Sequence, residues 1–426
     1  MSEQDYRPFI PGPDETRVSG ETVEEHTAAR LAAPRPRQLF NEWDALANKP
    51  FAGITTDGSS VDGLFPLNPD DAPIEAMAAA ATALLDRLTP SERSRTQHPV
   101  GSPLWHKWQN TEMFVEKHGL RLEKASKPIR ELAMAVVRAS LSDTGYEQSV
   151  GVMRLNAFLG EVLNAPGVLN QWSYNFVLFG EPSTEDPWGW QLFGHHLCLN
   201  CLAIGGQMIF TPCFMGAEIT RADHGPHAGV RMFQDHERLG LDLMNSLSAD
   251  NRARAIVGHS IMGDDLPEGR RHFADHLHLG GAFQDNRVVP YEGLAADGLD
   301  AGQSQRLADL VGAYVGTLPH GPRQARLEAF ERHLAETHFC WIGGTAEADP
   351  FYYRIQSPVI FIEFDQHAGV FLNNPTPAKF HIHTIVRTPN GNDYGVDLLR
   401  QHYQQARGTN HAHGHENGHS HGRSHD

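Results

Sequence analysis

Basic residues are in short supply in this chain. Lys and Arg together number 35 against 52 Asp and Glu, a formal net charge of −17. Such an excess of negative charge argues against a nucleic-acid or anionic-membrane surface, where affinity comes from neutralising phosphates. Cysteine is scarce too: Cys198, Cys201, Cys213 and Cys340 are the only four in 426 residues. Three lie in apolar, strand-like runs and read as buried thiols. Cys198 and Cys201 make a C-x-x-C, but on a strand they face opposite ways, no helix start follows, and no second pair completes a zinc knuckle. A reduced, cytoplasmic protein is expected. Long apolar runs are missing, so no membrane span is expected. The N-terminal MSEQDYRPFIPGPDETRVSG lacks the apolar core of a secretory signal. H-E-x-x-H, G-x-S-x-G, a Walker A loop and G-x-G-x-x-G are all absent. Their absence removes the commonest zincin, serine-hydrolase, NTPase and dinucleotide-enzyme readings.

What is present is the ordinary composition of a globular chain, 40 % hydrophobic and 20 % charged. Residues 1–48, rich in Pro, Glu and Arg without sustained periodicity, read as an extended arm. Residues 49–405 read as one α+β catalytic domain with a central mixed or antiparallel sheet, packed helices and a mostly helical N-terminal part. Phe51–Gly58 resembles a strand ending in a turn. A helix is expected from about Asp71 to Leu88, with Ile74, Met77, Ala78, Ala81, Leu84, Leu85 and Leu88 as its apolar stripe. Two more are expected near 128–141 and 148–163, broken by Asp143-Thr-Gly145. Strand patterns begin at Tyr174–Gly180. Trp188–Ala203 and Gln207–Phe214 read as a hairpin turned at Gly205-Gly206. Helices return near 232–247, 304–318 and 322–336, and the His-, Asp- and Gly-rich segment 258–300 reads as functional loops. Residues 406–426 read as a disordered tail, with six His between His411 and Asp426. Such a tract suits metal binding or is a low-complexity end with incidental metal affinity.

The chemistry concentrates in Phe351–Tyr403. Glu363 and Asp365 share one face of an apolar strand, and His381 and His383 share one face of the next, because strand side chains alternate. Two imidazoles at i and i+2 opposite a carboxylate suit a divalent metal with N and O ligands, zinc first, with iron, copper, manganese or nickel as alternatives. A solvated polar sheet face is the bland alternative. His195 and His196 supply a third His. Being adjacent, they face opposite sides of a strand, so one of the two joins His381, His383 and Glu363 unless Gly194 marks a bulge. Acid–base candidates nearby are Asp365, Tyr353 and Asp393, with Tyr352 and Tyr394 beside them. Arg354 and Arg387 are candidate substrate anchors, with Asn392 and Tyr394 in the turn after the second strand. Arg387 could equally pair with Asp393 to hold that turn, and the tyrosines could simply pack. His224, His227, His272, His276 and His278 have metal-like spacings but fall in loops, so they rank below the strand pairs.

Taken together, Gly194-His-His-Leu, Thr211-Pro-Cys-Phe-Met-Gly216, Tyr352-Tyr-Arg-Ile355, Ile362-Glu363, His381-Ile-His-Thr and Arg387–Gly395 resemble the family catalogued as domain of unknown function thirty-five hundred. The resemblance runs from about Phe51 to Tyr403. It implies one continuous domain and carries no reaction; the His-rich tail departs from the family's pattern. The residues lead to a metal-dependent enzyme acting on a small organic molecule, with hydrolysis by a metal-activated water as the leading reaction. An iron or copper oxidoreductase at the same residues and a non-catalytic metal-storage protein are the alternatives. The expected partner is a small-molecule substrate, with neither nucleic acid nor membrane; the oligomeric state is left open, a homodimer included.

Overall fold

The computed structural model describes residues 4–12 and 14–413, with side chains described as far as Gln405. Eleven α-helices are present in this range: α1 (Val23–Ala32), α2 (Pro34–Ala47), α3 (Ile74–Leu85), α4 (Pro90–Thr96), α5 (Lys127–Ser140), α6 (Asp143–Val162), α7 (Gln234–Ser246), α8 (Ala249–Ala255), α9 (Ala301–Val315), α10 (His320–Arg332) and α11 (Val396–His413). The strands are β1 (Gln97–His98), β2 (Leu120–Arg121), β3 (Tyr174–Phe179), β4 (Trp188–Gly194), β5 (Leu197–Ile204), β6 (Gln207–Ile209), β7 (Cys213–Ala217), β8 (Ile256–Gly258), β9 (Leu294–Ala295), β10 (His338–Gly343), β11 (Phe351–Gln356), β12 (Phe361–Gln366) and β13 (Ile382–Arg387).

These 13 strands form one sheet, whose main path is β1-β3-β4-β5-β7-β13-β12-β11-β10-β8. The eight strands from β3 to β10 along that path pair antiparallel; only the ends, β1 with β3 and β8 with β10, are parallel. The mixed, mainly antiparallel α+β architecture is therefore as expected. Two antiparallel meanders, β3-β4-β5-β7 and β10-β11-β12-β13, meet edge to edge at β7 and β13. That seam places residues near 196 and 216 beside residues near 383.

The sheet is buried on both faces. Helices α3, α5, α6, α7 and α9 cover one face over a core that includes Trp190, Leu199, Met215, Ile362 and Ile382. The other face carries Val177, Cys198, Phe214, Phe361 and Ile385, and is covered by α2, α11 and the segment 258–300 through Trp43, Leu279, Phe283 and Leu398. Cys198 and Cys201 fall in opposite cores, as strand alternation requires. Helix α3 buries the expected stripe from Ile74 to Leu85.

Several local expectations are corrected. Most of the extended arm is helical: a capping box of Thr22 and Glu25 opens α1, and Pro34 sits in the first turn of α2. Leu39, Phe40 and Trp43 then pack inward, with Trp43 stacked on Phe283 at 5.0 Å. Few apolar residues carry that helix, so its periodicity is faint in the sequence. Asp143-Thr-Gly145 is the first turn of α6 rather than a break, capped by Ser142, whose Oγ accepts from Gly145 N at 2.9 Å. Gly145 is there because a Cβ would meet the Thr317 carbonyl oxygen at 2.3 Å. Phe51–Gly58 forms only an isolated bridge, Thr55 to Val288. Helix α11 continues to His413, into the stretch expected to be a disordered tail; residues 414–426 lie outside the described residues.

Helix α7 buries His236 against Tyr314, ring centroids 4.4 Å apart. Burial pulls this imidazole down to about 4, only partly offset by Asp235. The unfolded chain holds a His proton below about pH 6.5 and the folded chain does not until about pH 4. The His236 contribution is therefore complete above pH 6.5 and is lost as pH falls towards 4, by roughly 3 kcal/mol. A His236→Phe variant is expected to lose less stability than the native chain between pH 7 and 4. Urea midpoints at stepped pH check this, and parallel curves for the two chains would show that His236 titrates freely.

Candidate metal centre

The third histidine comes from a turn. Trp188–Ala203 is not one strand: β4 and β5 pair antiparallel from Trp188↔Ala203 to Gly194↔Leu197, so His195-His196 is the two-residue loop of a hairpin. The turn at Gly205-Gly206 exists as well, between β5 and β6. His196 takes φ +61°, the left-handed conformation that two-residue hairpin loops demand and that few non-glycine residues adopt. That turn, rather than strand alternation, separates the two imidazoles.

Register does the rest. In the antiparallel pairs, Tyr352 lies opposite Asp365, Asp365 opposite His383, and His383 opposite Gly216. Directly opposed residues share a face, so Tyr352, Asp365, His383 and Gly216 form one row across four strands. Gly216 leaves the space that the His196 ring fills. A Cβ there would meet His383 Cδ2 at 2.9 Å and His196 Cδ2 at 3.1 Å. The Gly216 N–H donates to the His196 carbonyl at 2.8 Å, fixing the turn against β7.

His196, His381 and His383 converge. His196 Nε2 lies 2.9 Å from His383 Nε2, and His381 Nε2 lies 3.2 Å from the same atom. Ring centroids are 4.9, 5.0 and 5.4 Å apart. Three imidazoles on a tetrahedral ion, with metal–nitrogen bonds of about 2.0–2.1 Å, would hold their nitrogens about 3.3 Å and their centroids about 5.2 Å apart. His381 Nδ1 donates to the Ala368 carbonyl at 2.9 Å, which leaves the Nε2 lone pair pointing into the group. Burial pulls His381 down to about 3 and His196 and His383 well below the usual imidazole range, so all three are neutral near pH 7, the form that binds metal. Among the described residues, these three form a group able to hold a metal ion, with ligand atoms all within 4.8 Å of one another. His383 keeps 7 % exposure, His196 4 % and His381 none, so the approach is narrow.

The other candidates fall elsewhere. His195 Nδ1 donates to Asn156 Oδ1 at 2.8 Å, away from the group. Glu363 lies on the same face, but both its oxygens are engaged: Leu279 N, Gly280 N and Tyr352 Oη donate to it at 2.6–3.0 Å. Burial raises its pKa, and His278, Tyr352 and the Gly280 N–H more than offset that, so it is ionised. It gives the centre negative charge without being one of the three converging ligands. Asp365 is closer in the row. Its Oδ2 accepts from Leu277 N at 3.1 Å, and burial pushes it well above the usual carboxylate range. Tyr353 points to the opposite face, where its hydroxyl meets the His236 carbonyl at 2.9 Å and Tyr314 Oη at 2.7 Å. Arg354 donates to Glu292 and the Pro290 carbonyl.

Arg387, Asp393 and Tyr394 form a second buried knot with Asp285. Arg387 donates to Asp285, Asp393 and the carbonyls of Gly280 and Gly281. Tyr394 Oη lies 3.0 Å from Asp285, and the Asn392 side-chain oxygen accepts from Leu398 N at 3.4 Å. The knot holds segment 279–285 to the end of β13, and the structure does not bring these four residues to the triad.

Sequence spacing missed His367 and the spatial role of Gly216, and set His278 aside. His367 follows Asp365 by two residues and its ring lies 3.8 Å from that of His383. That i, i+2 relation was the available signal. His278 belonged to a loop pattern that spacing ranked low, and the rank of a loop His depends on what the loop packs against.

Among the described residues, no helix is long and apolar enough to cross a membrane. No curated protein and no solved structure matches the chain. A family model, described as protein of unknown function (DUF3500), matches residues 70–396. It spans both meanders and all three converging histidines, so the chain belongs to that family.

Proposed function

We propose that this protein is a metal-dependent enzyme acting on a small organic molecule, with hydrolysis as the leading reaction and zinc as the leading metal. The observation that carries this is the convergence of three buried, neutral Nε2 atoms at 2.9–3.2 Å. Three imidazoles with an open fourth position are the ligand set of catalytic zinc, which supplies a nucleophilic water near neutral pH and polarises a carbonyl. The chain's own residues complete the site. Gly216 makes room for the ligands, the Ala368 carbonyl orients His381, and Glu363 offers negative charge. Burial pushes the Asp365 carboxyl above its ordinary range and a nearby cation would oppose that shift, which places the group in reach of proton exchange with substrate. The narrow approach favours a small substrate. Four buried, unpaired cysteines support a reducing, cytoplasmic setting.

A copper-dependent oxidation is the second reading. It is favoured by the all-histidine group, since imidazole suits copper as well as zinc, whereas the non-haem iron triad needs a carboxylate ligand. Metal content and spin-resonance spectra of the full chain, purified without a metal-affinity column, separate these readings. Spectroscopically silent zinc at one equivalent or more, together with turnover of a small ester, amide or lactone, is the expected result. Copper signals and oxygen consumption would overturn hydrolysis. Metal lost equally from the native chain and a His196→Ala variant would overturn the centre and favour storage in the tail.

A further inference from the structure

Beside the triad lies a second set of metal-type side chains. His276 and His278 come from segment 258–300, and Asp365 and His367 from the end of β12 and just beyond it. His367 Nε2 stands 3.0 Å from Asp365 Oδ2. The His278 and His276 rings lie 6.1 and 4.2 Å from the His367 ring, the latter stacked on it. His278, Asp365 and His367 are at most 2 % exposed.

The hydrogen-bond account of this set does not close. His278 Nε2, His276 Nδ1, His367 Nδ1 and Asp365 Oδ1 are buried without a hydrogen-bond partner, and His367 Nε2, although at ion-pair distance from Asp365 Oδ2, makes no well-aligned hydrogen bond. Glu363 and Arg387, on the same face, have several partners each. A buried polar atom left unpaired keeps the cost of its desolvation with nothing to offset it. The unpaired atoms are also alike in kind. A neutral imidazole carries one ring lone pair. Once ionised, the Asp365 carboxylate carries only lone pairs. An imidazole lone pair, a carboxylate and a second imidazole at close quarters call for a cation, which accepts several lone pairs at once. A water molecule offers two protons.

We propose that His278, His367 and Asp365 bind a second divalent metal ion, making the site a two-metal centre with His196, His381 and His383. Two imidazoles and a carboxylate suit zinc, cobalt, nickel or copper. The orphaned atoms are more widely spread than those of the triad, so binding draws them together by side-chain rotation. His276, stacked on His367 and half-buried, closes the outer side. The inference extends the metal-centre reading by one ion, and its test separates the two.

The test uses crystals of the full chain loaded with zinc, with anomalous difference maps on both sides of the zinc absorption edge. Two peaks are expected, one among His196, His381 and His383, the other among His278, His367 and Asp365. A His367→Phe variant keeps the stacked ring and removes both nitrogens. It is expected to lose the second peak, keep the first, and carry one fewer zinc per chain by elemental analysis. One peak at the triad, with water at Asp365, overturns the second ion and leaves the first reading standing. Two peaks that persist in His367→Phe overturn the ligand assignment. No peak at either place overturns both. Should the variant fail to fold, the native map still decides.

Discussion

Replacing His381 and His383 together by Ala is expected to abolish metal retention at the seam between β7 and β13 while leaving the chain folded. Their nitrogens supply two of the three converging donors, and both contacts that define the group pass through His383 Nε2. Loss of a residue that only orients a ligand typically costs 10–100-fold in affinity. Losing two of three donors should cost far more, on the order of 10⁴-fold or greater by the same scale. The fold should survive, because the backbone of β13 still pairs with β12 and β7 and neither imidazole spans the two cores. The metal-free variant is even relieved of two buried imidazoles that resist protonation. Competition with a chelator of known affinity, alongside circular dichroism, reads both quantities. The location of the metal matters because the tail carries six His of its own. Occupancy must therefore be followed at the seam, by anomalous scattering or by cobalt absorption bands. An unchanged seam signal in the double variant would sink the ligand assignment.

The second large effect concerns stability. Arg387→Met is expected to destabilise the protein by about 3–5 kcal/mol, the usual result of stripping one partner from a buried charge network. Arg387 is fully buried, and it lies 2.7 Å from Asp285 and 3.1 Å from Asp393. Burial raises the Asp285 pKa, and Arg387 and His106 more than offset it, so Asp285 is held below its ordinary range. Without the guanidinium, two buried carboxylates face each other and each must take up a proton. Their folded pKa values then rise above the unfolded value near 3.9. A group raised in this way favours the folded state at low pH and loses that advantage as pH climbs through its folded pKa. The deficit of the variant should therefore be largest near neutral pH and shrink as pH falls towards 4. Urea melts at pH 7.5 and 4.5 measure it. A deficit below about 1 kcal/mol at pH 7.5 would place the knot among solvent-screened surface pairs. The same knot bears on the site, since Arg387 grips the carbonyls of Gly280 and Gly281, next to the N–H groups that hold Glu363.

The expectations that held share a cause. Helix α3 was legible because its apolar residues recur on one face, and the β12 and β13 strands because β-branched and aromatic residues alternate with polar ones. His381 and His383 were paired correctly because residues two apart on a strand share a face. Helices α1 and α2 were missed because their inward face is narrow and their polar content high. Trp188–Ala203 was misread for a different reason. Its apolar residues continue through Gly194-His-His-Leu197 without Pro, Asn-Gly or Asp-Gly, so nothing local marks a turn. The chain reverses there because β5 finds β4, and His196 accepts a left-handed backbone to allow it. Arg387 shows the limit from another side. Its chemistry suited either a substrate carboxylate or a structural pair, and Asp285, 102 residues away, resolved the matter.

By itself, then, the sequence determined the α+β class, the elements that carry the chemistry, the acidic surface and the two histidines of β13. Periodicity and side-chain chemistry are local, and these features follow from them. Only the tertiary structure decided that His196 rather than His195 joins those two, since the choice rests on a hairpin turn and on a contact between residues 187 apart. It also decided that Glu363 is tied to main-chain N–H groups, that Tyr353 faces the far core, and that His278 and His367 stand beside the triad. Each of these depends on strand register and on which loop covers which face. Those are set by the packing of the whole chain, where one residue of register would turn every one of these side chains to the other side of the sheet.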